Sequence, residues 1–128
     1  MRANISAAEQ EVLCVLLDRG ESTAIELHKT FLPKRQWMPT TVATFLHRLE
    51  AKGLVERVKE EGDRAFRFRP TRIAEKSRRA VLKDVLERLF GGDPFPIMSS
   101  LLEEARLKED DFNELHRLID KHASKRRK

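Results

Sequence analysis

The sequence predicts a mainly α-helical chain interrupted once by a small β-hairpin. Two observations carry this. Apolar residues recur at three- and four-residue spacing through most of the chain, the mark of helices with one buried face. From Leu54 to Arg69 that period gives way to the two-residue alternation of strands, with Glu61-Gly62-Asp63 as a turn between them. Helix punctuation supports the same division. Ser6-Ala-Ala-Glu9 and Thr23-Ala-Ile-Glu26 read as capping boxes, and Gly20, Gly53 and Gly91-Gly92 stand where helices should stop.

The first helix starts after Ser6 and ends at Gly20. Val12, Leu13, Leu16 and Leu17 form its apolar face; Cys14 and Val15 thicken it, so Cys14 is expected to be a buried small hydrophobe. The second helix runs from Ala24 to about Phe31, anchored by Ile25, Leu27 and Phe31, and Pro33 closes it. The polar connection Lys34 to Met38 contains Trp37, whose large ring is expected to wedge between helices. The third helix opens with Pro39 at its first position, where a missing N–H costs nothing, and closes at Gly53. Val42, Phe45, Leu46 and Leu49 make its apolar stripe. The opposite face carries Thr40, Thr41, Thr44, His47, Arg48 and Ala51, with no acid before Glu50. Three short helices, the last two joined by a tight connector, match a helix-turn-helix arrangement.

Strands Leu54 to Glu60 and Ala65 to Arg69 then form a hairpin. Alternation puts Phe66 and Phe68 on one face, Arg67 and Arg69 on the other. A hairpin directly after a helix-turn-helix is a wing, so residues 1–71 are expected to be a winged helix-turn-helix domain. Three amphipathic helices follow: Arg72 to Phe90, Pro94 to about Arg106 with Asp93 as its cap, and Lys108 to about His122. About 55 residues of helix joined by short links make a poor core alone. Residues 72–122 are therefore expected to form a C-terminal helical dimerisation segment that a second copy completes, and residues 123–128 a basic, disordered tail.

The 128 residues carry a net charge of +5, unevenly spread. From His28 to Arg72 there are eleven basic and five acidic residues, whereas Met1 to Leu27 and Ile73 to Asp120 each carry a balance of −3. Positive charge gathered around the third helix and the wing is the electrostatic footprint of a nucleic-acid binder. Hydroxyls and a guanidinium on a face without acid can bond phosphates or base edges. Candidate DNA contacts are Thr40, Thr41, Thr44, His47 and Arg48 on the helix, and Arg64, Arg67 and Lys59 at or near the tip of the wing. A winged helix used for protein contacts would show an acidic or apolar face there instead. A non-specific architectural DNA binder is a third reading, recognisable by equal affinity for every DNA fragment.

No apolar run approaches the ~20 residues of a membrane span. The N-terminus meets acids too early for a signal peptide. The single cysteine excludes an internal disulfide and fits a reducing cytoplasm. Four histidines without partner spacing and one cysteine give no metal or cofactor site. Glu109-Asp110-Asp111 reads as acids suited to the first turn of a helix rather than as ligands. No Ser/His/Asp set, Gly-rich phosphate loop or pair of catalytic carboxylates can be assembled, so an enzyme is not expected.

Several motifs stand together: Trp37-x-Pro39-x-Thr41-Val42-x-Thr44, Arg48-Leu49-x-x-Lys52-Gly53-Leu54-Val55, and Gly62-Asp63-Arg64-Ala65-Phe66-x-Phe68-x-Pro70. A first helix with Glu9 and Val12 precedes them; Leu89-Phe90-Gly91-Gly92, Leu101-Leu102 and Glu114-Leu115 follow. On these residues, from Ile5 to Asp120, the chain resembles the penicillinase and methicillin-resistance repressors and their copper-responsive relatives. The resemblance implies a winged-helix transcriptional repressor, dimeric through its C-terminal helices, on a two-fold related DNA operator. Carried over by position, it puts Thr40, Thr41 and Thr44 in the major groove, Arg48 near the backbone and Arg64 on flanking phosphates. From the antibiotic-responsive relatives it implies a membrane sensor protease as partner and release by cleavage, at a bond equivalent to Ser100-Leu101, where those relatives have Asn-Phe. The copper-responsive relatives carry a cysteine-rich C-terminal motif; no cysteine follows Cys14 here, so copper control is not expected. Met38 stands where the family usually has a serine that caps the third helix.

Overall fold

In the computed structural model, which describes residues 5–58 and 66–126, Ser6 and Thr23 each open a helix. Each hydroxyl oxygen accepts the backbone N–H three residues on, at 3.1 Å. At Thr23 the box is reciprocal, because the Glu26 carboxylate accepts the Thr23 N–H at 3.0 Å. At Ser6 the Glu9 carboxylate accepts the Ser6 hydroxyl instead, at 3.0 Å.

The first of these helices, α1, spans Ala7–Arg19, and the second, α2, Ala24–Phe31. Then come α3 at Pro39–Ala51, α4 at Arg72–Phe90, α5 at Pro94–Glu104 and α6 at Glu109–Arg126. Three short strands make one antiparallel sheet in the order β1-β3-β2: β1 is Ser22–Thr23, β2 Val55–Val58 and β3 Arg67–Pro70. The two-residue β1 was not foreseen. It pairs Ser22 with Phe68 and Thr23 with Arg67, while β2 pairs Glu56 with Arg69 across β3. The expected turn at Glu61-Gly62-Asp63, with Lys59 and Arg64, lies outside the described residues.

The chain divides into two compact units, Met1–Lys83 and Asp84–Lys128, and the division falls inside α4. The first unit contains the core: Val12, Leu13 and Leu16 of α1, Leu27 and Phe31 of α2, Val42, Leu46 and Leu49 of α3, with Leu54, Val55, Phe68 and Ala74. Gly53, at φ +75°, makes the left-handed step that ends α3 and turns the chain into β2. Thr71 locks that corner, its hydroxyl donating to the Gly53 carbonyl at 2.7 Å.

Three sequence expectations are corrected. Cys14 is exposed, because it stands about 150° around α1 from the centre of the buried stripe. Ile25 is 60% exposed for the same reason: on α2 it lies opposite Leu27 and Phe31. Finally, α6 continues through Arg126, so residues 123–126 are helix rather than disordered tail. Lys125 and Arg126 form good helix and favour the negative end of its dipole. At the other boundary, α5 stops at Glu104, two residues short of expectation.

Within the second unit, Asp93 caps α5 by accepting the Phe95 N–H at 3.0 Å. Neither α5 nor α6 has a buried residue. Phe95, Met98, Leu101, Leu102, Leu118 and Ile119 all stand exposed among the described residues.

Candidate nucleic-acid interface

Pro39 starts α3 and fixes its own φ for a helix, but no side chain caps the first turn. Met38 occupies the cap position with extended backbone, and only its carbonyl takes part, accepting from Thr41 N at 3.0 Å and Val42 N at 3.3 Å. The angle of α3 is set instead by the connection before it. Trp37 is half-buried, as foreseen, with ring centroids 5.0 Å from both Phe31 and Phe45. His28 donates its Nε2–H to the Trp37 carbonyl at 2.9 Å. Arg35 is ion-paired with Glu11 of α1 and lies 5.8 Å over the Trp37 ring. The connector is thereby held on three sides.

Val42, Leu46 and Leu49 face the core. That leaves Thr40, Thr44, His47, Arg48 and Ala51 exposed and Thr41 half-buried. Five of the eight predicted contact residues are thus brought together on α3. The Thr44 hydroxyl donates to the Thr40 carbonyl at 3.0 Å. The one acid on this helix, Glu50, is half-buried and held by Arg57 Nε at 2.8 Å.

Three remain, from the wing. Lys59 and Arg64 lie outside the described residues. Arg67 is paired with Glu21 at 2.8 Å and Glu26 at 3.3 Å, which ties β3 to the start of α2. Phe66 and Phe68 lie on one side, as alternation requires, 5.0 and 5.8 Å from the Arg57 guanidinium. The expected cleavage bond, Ser100-Leu101, sits in the interior of α5 with both residues exposed.

Glu9 is the residue that sequence reasoning passed over here. It is only 3% exposed. Lys52 Nζ donates to its Oε1 at 2.7 Å, and Arg48 Nη1 stands 3.9 Å from its Oε2. The Lys52 hydrogen bond holds the carboxyl below its usual range; desolvation opposes this, and Ser6 reinforces it. The sequence signal was indirect: Arg48 and Lys52 are four apart, so one anion can meet both.

Three helices and a small antiparallel sheet, with the third helix basic and hydroxyl-bearing, define a winged-helix DNA-binding protein. The chain matches the penicillinase repressor family over residues 5–121, and it belongs to that family. It is 27% identical to the penicillinase repressor of Bacillus licheniformis over 123 residues, covering 96% of this chain and 94% of that one. It is 23% identical to the methicillin resistance regulatory protein MecI of Mammaliicoccus sciuri, covering 91% and 94%. Among solved structures it is similar to a mutant MarR from E.coli complexed with operator DNA, at 25% identity and a TM-score of 0.50, covering 92% of this chain and 75% of that one. Family and fold together indicate a winged-helix transcriptional repressor. No helix among the described residues is long and apolar enough to cross a membrane.

Proposed function

We propose that this repressor binds a two-fold related DNA operator as a homodimer, reading sequence with α3 and gripping phosphates beside it. The observation that carries the reading is the outer face of α3, where threonines, a histidine and an arginine are presented and the helix's own acid, Glu50, is turned onto Arg57. Because the Thr44 proton is used within the helix, its oxygen can accept from a base amino group and its methyl can meet a thymine methyl. Thr40 and Thr41 extend that surface, and His47 and Arg48 take backbone phosphates with Arg64 of the wing. Arg67 we assign to bracing β3, since two carboxylates already hold it. The complex of the MarR relative with operator DNA supports this use of the fold.

The dimer reading rests on the second unit, whose apolar side chains have no cover within it. A two-fold dimer predicts half-sites about one or two helical turns of DNA apart. Binding of the wild-type chain and Thr44→Ala to an enriched duplex and a scrambled duplex, by fluorescence anisotropy, tests the reading. Loss of a base contact should narrow the preference by about 1–3 kcal/mol. Equal weakening on both duplexes would show that Thr44 does not read bases.

A further inference from the structure

Glu9 is the only buried charged residue among those described, and its carboxylate meets two cations at the end of α3, Arg48 in its last turn and Lys52 just after it. Its oxygens are divided between them: Oε1 accepts from Lys52, while Oε2 faces Arg48 and accepts from the Ser6 hydroxyl. Ser6 caps α1, and Glu9 sits in the first turn of that helix. The carboxylate therefore fastens the start of α1 to the end of α3, across 43 residues of sequence. At its other end α3 has no side-chain cap, only the packed Trp37 connector.

We infer that Glu9 is a positioning residue of the DNA interface, acting through Lys52 and Arg48 to fix the rotation of α3 and the reach of Arg48. The inference rests on the reading of α3 as the element that meets DNA. Arg48 remains 60% exposed, and a guanidinium has five N–H donors, so the Glu9 side can steer it while other donors meet a phosphate. Lys52 donates to Glu9 at 2.7 Å and serves as the strut between the end of α3 and α1. An anchored α3 presents its threonines in one register. With the anchor loosened, base contacts suffer, while phosphate attraction survives because one negative charge has left the interface.

Two effects of removing Glu9 can thus be told apart. Loss of folded protein lowers apparent affinity for every DNA alike; loss of positioning lowers only the preference for the selected sequence. Glu9→Gln is the test, since it keeps the shape and one acceptor oxygen while replacing the other with an N–H donor and removing the charge. A duplex enriched by the wild-type full-length chain from a randomised pool is compared with a scrambled duplex across a salt series, with circular dichroism recording the fold. The expected result is a roughly tenfold narrower preference, with affinity for the scrambled duplex equal or higher. Lys52→Gln should act in the same direction, and Lys52→Arg should restore the preference, which keeps the inference testable if Glu9→Gln does not fold. An unchanged preference in Glu9→Gln and Lys52→Gln overturns the role of Glu9 alone. A wild-type chain that enriches no duplex overturns the reading of α3 beneath it.

Discussion

The Glu9 and Glu26 carboxyls are both held below their usual range, Glu9 chiefly by the Lys52 hydrogen bond and Glu26 chiefly by the Thr23 backbone N–H. A carboxyl that ionises more readily folded than unfolded stabilises the fold above its unfolded pKa. That contribution is lost as pH falls through the lower, folded value. Thermal stability should therefore hold steady above the ordinary carboxyl value of 4.5 and decline below it. Calorimetry from neutral to acid pH should give a shallower decline for Glu9→Gln than for the wild type; parallel curves would remove Glu9 as a source. Thr23→Ala breaks a complete capping box, and a loss of about 1 kcal/mol in urea unfolding is expected. The Thr23 box could be read from spacing because cap and partner are three residues apart. The partner of Glu9 could not, because Lys52 is brought to it only when α1 packs on α3. Cys14 and Ile25 were misread for a related reason: each adjoins an apolar stripe in sequence but points away from it around the helix.

The helix α3 was legible almost whole, from Pro39 at its start to the glycine after its end, because proline, glycine and a regular apolar spacing are local signals. Its weak point was legible too. Met38 has the extended backbone of a cap without the oxygen, and 66% of it is exposed. Met38→Ser should supply that oxygen without emptying the core. A gain of about 1 kcal/mol is expected, measured as a rise in the urea midpoint at constant m. No gain would mean that the connector already satisfies the first turn. The sheet was less legible. A two-residue strand such as β1 has too short a pattern to detect, and it exists because β3 offers it an edge.

Across the molecule, the two units bury apolar surface very differently. The first has a closed core; in the second, α5 and α6 bury no residue. If a second copy covers those faces, Leu101→Glu or Leu118→Glu should yield monomers at micromolar concentration in light scattering. Operator affinity should then fall on the order of 10²-fold, since one half-site no longer assists the other; a variant that remains dimeric locates the interface elsewhere. The helical period, the two complete or partial capping boxes, the closing glycines and the basic stretch around α3 were fixed by residues within a few positions of one another. From them came the six helices, the winged-helix class and the threonine face. Which of the described cations are held in ion pairs was decided by packing. Arg67 goes to Glu21 and Glu26, Arg57 to Glu50, and Lys52 to Glu9, whereas Arg48 stays largely open. Charge pairing depends on distance in space, and a sequence lists its charges without that distance.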